Sequence, residues 1–164
     1  MEFFADLHPK AIHYPVALLT IYPLLMIIYI FYKNEVLAKS ALLLLAGGIA
    51  GLVLSLFTGN SAFQAFTEAN VNHPQIKMLT ELIGVHDDFA TALTFVFSAT
   101  FIFNFFYFVK SYIKKDTESK IVKNAPKILV AISILGLYFL YKTAEIGGKL
   151  VFEYGVGTKH FNVK

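Results

Sequence analysis

The chain has 164 residues, of which 57% are hydrophobic and only 15% charged, with a mean hydropathy of +0.63. A soluble domain is about a quarter charged, so this composition excludes an ordinary soluble domain and indicates a membrane protein of one domain. There is no cysteine, which removes disulfides, thiolate metal sites and covalent haem attachment, and the net charge of +3 rests on lysine without arginine, which argues against nucleic acid as a partner.

Four apolar segments follow one another, each near the length of about 20 residues that spans a bilayer. Backbone groups in lipid must be hydrogen-bonded internally, so the segments are helices. Their expected spans are about 12–32, 36–57, 76–110 and 126–146, with an interfacial C-terminal segment over 147–164. Short links make the expected fold an all-α, up-and-down four-helix transmembrane bundle. The first apolar run is too long for a signal-peptide core, and the acidic residues before it argue against a cleavable leader.

The first helix opens on "DLHPKAIHYP", with His8 and His13 five residues apart. That spacing places them about 140° apart on a continuous helix, so they do not share a ligand there. Pro15 has no N–H for the carbonyl of Ala11, nor Pro23 for that of Leu19, so a kinked helix is expected. In the second helix Gly47, Gly51, Ser55 and Gly59 recur every four residues. The stripe suits close helix packing and also leaves room for a flat macrocycle beside it. His73-Pro74 precedes the third helix, and "GVHDD" sets His86, Asp87 and Asp88 a turn or two inside it. Ionisable residues within a span are costly and by default mark function. In the tail, Glu145 is expected near the bundle mouth and His160 in solvent.

The lysines crowd the first and third links, for example Lys33, Lys39, Lys114 and Lys115, whereas acids such as Asp6, Glu68, Glu81 and Glu153 gather at the other end. The positive-inside rule then puts both termini outside, in the periplasm for a protein of a bacterial inner membrane. Every histidine falls on that outer side.

The opening "LHPKAIHYPVALL" resembles the LHPxxVHFP opening of the bacterial membrane-protein family known as domain-of-unknown-function family 2231. The small-residue second helix ending in Thr58-Gly59, His86 early in the third helix, and the closing "GGKLVFEYGVG" are similar too. The resemblance implies a four-helix membrane domain with no assigned activity. Relatives fused to cytochrome c-like or Rieske-type modules imply redox company.

Three functional readings remain. In the first, the chain is a small b-type cytochrome in which neutral imidazoles of His13 and His86 ligate haem iron, with His8 and His73 as a second pair if two haems bind. Asp87, Asp88, Tyr14, Gly51, Ser55 and Gly59 would surround the ligands, and quinone or a periplasmic cytochrome would be the electron partner. The second reading is a non-haem metal site or proton relay built from the same histidines and aspartates. The third is a non-catalytic accessory subunit of a membrane redox complex, with a homo- or hetero-oligomer as its setting. No nucleophile–base pair stands out for covalent catalysis.

Overall fold

A computed structural model describes residues 2–116 and 118–158. Helix α1 covers Glu2–Ala11, α2 His13–Tyr32, α3 Glu35–Ala69, α4 Ile76–Phe108 and α5 Lys120–Phe152, with a π-helical turn at Val109–Ile113 closing α4. Among the described residues there is no strand. Helices α1 and α2 form one rod, so four long helices run up and down, each long and apolar enough to cross a membrane. The rod packs on α3, α3 on α4, α4 on α5, and α5 back on α2, closing the bundle. His160 lies outside the described residues.

The helices run further than their apolar segments. The first starts at Glu2 rather than near 12, so Pro9 sits inside α1 instead of opening it. The second continues past 57 to Ala69, and the last extends from Lys120 to Phe152, taking in the glycines of "EIGGKL". Hydropathy marks only the lipid-embedded part of a helix, whereas packing carries the helix beyond it. At 1.5 Å per residue these rods are about 45–57 Å long, against a hydrocarbon core of about 30 Å. The exterior is apolar, with Phe31, Leu43, Phe95 and Ile102 all exposed, and this surface contacts the bilayer.

The helix is interrupted at Ile12, whose φ of −61° and ψ of −25° are still helical. Its N–H reaches the His8 carbonyl at 3.2 Å, but Pro15 has no N–H for the carbonyl of Ala11. The proline thus leaves a joint in the hydrogen-bond ladder rather than a loop. At the other end of the rod Lys33 terminates α2 in the left-handed region (φ 50°), and Asn34 caps α3 by accepting from the Val36 N–H at 2.7 Å.

The small-residue face of α3 receives the rod. A Cβ at Gly48 would overlap the Leu19 side chain, and one at Gly51 would stand 2.8 Å from Pro15 Cδ. Close packing thus occupies this part of the stripe, and no macrocycle lies between α2 and α3 there. On the outer side of the same contact, Tyr14, Leu18, Gly47, Ala50, Gly51 and Leu54 line an apolar groove of about 340 Å³ open to lipid.

The continuous core runs from the lysine-rich end through Tyr29, Tyr107, Tyr22 and Phe97 to Leu52, Leu93 and Leu140. Two polar knots are embedded in it. Tyr29 OH bonds Tyr107 OH at 2.5 Å and Tyr112 OH at 2.8 Å, while Asn104 donates to Tyr22 OH at 3.1 Å. The π-helical turn widens the end of α4 and lets Tyr112 reach Tyr29 beside Tyr107.

Gly48→Ala is expected to push α2 off α3 and cost about 1–3 kcal/mol, the usual penalty of overpacking. Gly84→Ala, with nothing within 4 Å of the added carbon, is the control and should cost nothing. Reversible unfolding in bilayers or bicelles measures both.

Candidate functional site

The inward stripe of the α1–α2 rod reads His8, Ala11, Pro15, Leu19, Tyr22, Met26 and Tyr29, at spacings of three and four. That of α4 reads Leu79, His86, Leu93, Phe97, Thr100, Asn104 and Tyr107. Both histidines thus occupy core positions of their helices. The continuous core stops short of them, and beyond them Phe66, Leu79 and Leu150 are again buried. The imidazoles form a polar layer between two apolar ones.

Each ring is tied to a neighbouring helix through the same nitrogen. His8 Nδ1 lies 3.1 Å from Thr58 Oγ1 on α3. The Thr58 hydroxyl also lies within reach of the carbonyls of Leu54 (2.9 Å) and Ser55 (3.2 Å), so it can accept from His8 while donating to its own helix, or donate to the ring. The Ser55 carbonyl is a further acceptor for the His8 ring. His86 Nδ1 lies 3.0 Å from the carbonyl oxygen of Thr143 on α5, which only accepts. The Thr143 carbonyl places the His86 proton on Nδ1 and leaves its Nε2 with a lone pair, whereas the Thr58 contact fits either tautomer of His8.

Two glycines make room for the rings. A Cβ at Gly59 would stand 3.0 Å from His8 Cε1, and one at Gly147 would stand 3.1 Å from His86 Cε1. The arrangement repeats, with imidazole, threonine and glycine at the α1–α3 contact and again at the α4–α5 contact. Measured from the lysine-rich end, His8, Thr58, His86 and Thr143 all lie about 35–40 Å along their helices. The layer is therefore level, at or just beyond the edge of a hydrocarbon core of about 30 Å.

Other residues singled out in the sequence fall elsewhere. The sequence favours His13 as partner of His86, but His13 is exposed on α2, and His8 is the residue brought to the His86 layer. The 140° between the two histidines explains this, since only one of them can share a face with Ala11 and Leu19. His73 lies in the turn before α4, where its Nδ1 accepts from the Gln75 N–H at 3.2 Å and its carbonyl from the Ile76 N–H at 3.0 Å. Asp87 and Asp88 are exposed and make no hydrogen bond to His86, whose Nδ1 is taken by Thr143. Tyr14 is exposed at the lipid groove and Gly51 lies under Pro15, so neither borders the imidazoles. Gly59 does, and Ser55 does through its carbonyl. Glu145 pairs with Lys142 on the same helix. Among the described residues no group of three or more histidine, aspartate or glutamate side chains is placed to hold a metal ion.

Thr58 and Thr143 were missed in the sequence as partners of the rings. Thr143 acts through its backbone, which no residue type reveals, whereas Thr58 stands next to a glycine of the small-residue stripe.

With this geometry in hand, comparison with known proteins is informative on one point. Residues 5–160 match the family model described as predicted membrane protein (DUF2231). The chain belongs to this family. No curated protein and no solved structure matches the chain. Family DUF2231 membership thus agrees with a membrane bundle and leaves the chemistry to be argued from the imidazole layer.

Thr58→Val keeps the side-chain shape and removes the hydroxyl partner of His8 Nδ1. The expected result is a change in the His8 tautomer balance with His86 unchanged, read from histidine ¹⁵N resonances of the full chain in bilayers.

Proposed function

We propose that the chain is a membrane electron-transfer protein of the b-type cytochrome kind, with a single haem held between His8 and His86. One observation carries the reading: at one level of the bundle two half-buried imidazoles are each tied through Nδ1 to a neighbouring helix, His8 to Thr58 and His86 to the Thr143 carbonyl. Histidines that bind metal almost always donate the other ring N–H to a neighbouring acceptor, which orients the ring and raises its basicity. Two axial nitrogens suffice for haem, which brings four of its own, whereas a non-haem ion needs a larger protein donor set. The exposure of Asp87 and Asp88 and the absence of a three-donor group among the described residues favour haem over that alternative. The glycines support it as well, since a side chain at 59 or 147 would press each ring out of place.

When bound, haem supplies reversible one-electron chemistry. The residues that would hold it are His8 and His86, with Thr58 and the Thr143 carbonyl orienting the rings and Leu52, Leu93 and Leu140 excluding water on the inner side. With both histidines as ligands no position for a substrate would remain at the iron, so electron transfer, rather than oxygen chemistry, would be the role. His13 is exposed on α2, away from the layer of His8 and His86, and a single haem is proposed.

Lysine at the opposite end argues for an orientation with the imidazole layer and both termini on the periplasmic side of a bacterial inner membrane. Quinone in the bilayer or a periplasmic cytochrome is then the electron partner.

The test is the absorption spectrum of the protein expressed with haem supplied, with a pyridine haemochrome assay. A Soret band with low-spin α and β bands is expected, lost in His8→Ala and His86→Ala and kept in His13→Ala and His73→Ala. Colourless protein would end the haem reading and leave an accessory subunit as the role. A spectrum that depends on His13 instead of His8 would overturn the ligand assignment. Replacement of Thr58 by valine should weaken haem binding about 10–100-fold, as loss of a ligand's hydrogen-bond partner does elsewhere.

A further inference from the structure

Buried serine and threonine hydroxyls in this bundle follow one habit. Thr58, Thr100 and Ser133 each turn back on their own helix and donate to the carbonyl four residues earlier. Ser55 departs from it. Its residue is 9% exposed, its Oγ is buried, and that oxygen has no hydrogen-bond partner. Leaving a buried hydroxyl unpaired costs about 1–3 kcal/mol, so the group calls for a partner.

A second orphan stands at the same level. Pro15 cannot donate to the carbonyl of Ala11, and Ala11 is 2% exposed, so that carbonyl has neither its helical donor nor ready access to solvent. The register between the rod and α3 fixes the alignment. Pro15 lies against Gly51 and His8 against Gly59, so one turn from each, between them, Ala11 comes opposite Ser55. Both side chains at this level are small.

We propose that a single water molecule is bound between the Ser55 hydroxyl and the Ala11 carbonyl, one helical turn inside His8. The water donates to the carbonyl and accepts from, or donates to, Ser55 Oγ. Two polar partners and a small pocket are the conditions under which a buried water is retained. The site pins the Ile12 joint to α3, and the joint carries α1 with His8. It exists in the chain with or without a bound haem, so it stands apart from the function proposed above.

Solid-state NMR on the full chain in bilayers tests it. Labelling alanine carbonyls with ¹³C and isoleucine amides with ¹⁵N selects two sequential pairs, Ala11–Ile12 and Ala131–Ile132. Polarisation transferred from water is expected to reach Ala11–Ile12 and not Ala131–Ile132, which lies on the lipid-facing side of α5. Ser55→Ala should abolish most of that transfer and move the Ala11 carbonyl resonance upfield. Pro15→Ala, which supplies the missing N–H, should remove the water signal while keeping the carbonyl bonded. Absence of transfer in the unmodified chain would overturn the proposal, as would transfer indifferent to Ser55→Ala. A carbonyl shift that follows Ser55→Ala without any water transfer would mean a direct hydroxyl–carbonyl bond and would overturn it equally.

Discussion

Pro15 seated on Gly51 is the contact on which the rest of the bundle depends. With no Cβ on α3 at that point, the proline ring approaches the backbone closely, and a side chain there would stand 2.8 Å from Pro15 Cδ. The contact sets the register of the whole rod. One turn toward the lysine end it brings Leu19 over Gly48, and two turns the other way it brings His8 over Gly59 and within reach of Thr58. The same proline takes a donor from the backbone and leaves the joint at Ile12. One residue therefore both fixes where His8 sits and interrupts the ladder of the rod that carries it.

Much of this was legible in the sequence, and the part that was not has identifiable causes. Hydropathy located four spans, and Pro15 announced the joint. Helix ends were underestimated because α3 beyond Phe57 and α1 before Ile12 are stabilised by packing on each other rather than by lipid. The choice between His8 and His13 was decidable in principle. Ala11, Pro15, Leu19, Tyr22, Met26 and Tyr29 fall at spacings of three and four, and extending that stripe backward lands on His8. A proline adjoining His13 draws attention to that ring, whereas the stripe points to His8 as the inward one, because a proline marks the helix and not the face of it. On α4 the seven-residue repeat of Leu79, His86, Leu93, Thr100 and Tyr107 points inward without ambiguity. The acceptors were another matter, since Thr143 offers a carbonyl and pairing it with His86 requires the packing of α5 on α4.

The small-residue stripe shows how one sequence feature resolves into two structural roles. Gly48 and Gly51 admit Leu19 and Pro15, which is helix–helix packing of the kind membrane bundles use when lipid offers no hydrophobic drive for association. Gly59 admits an imidazole instead. Gly147 on α5 does the same for His86 without belonging to any stripe, so the shared property is the demand of a flat ring for a bare backbone. Spacing alone did not separate these uses. The partner across the interface did.

The polar groups inside the bundle are stratified, and the stratification bears on what a site at the histidine layer can exchange. The tyrosines at the lysine end and the Tyr22–Asn104 pair satisfy one another and are closed networks. Between Tyr22 and the imidazoles stand Leu19, Leu52, Leu93, Phe97 and Leu140, all buried. The leucines and Phe97 of that layer carry no hydrogen-bonding group, while Thr94 beside Leu93 gives its hydroxyl hydrogen to the Ala90 carbonyl of its own helix. A relay from one face of the membrane to the other through these residues would have to break that apolar layer. Under the function proposed above, electron exchange at the histidine end would meet no such barrier, because the redox group would lie on one side of the dry layer. On the proposed reading the bundle is therefore a platform that holds a redox group at one surface, with the apolar layer acting as its floor.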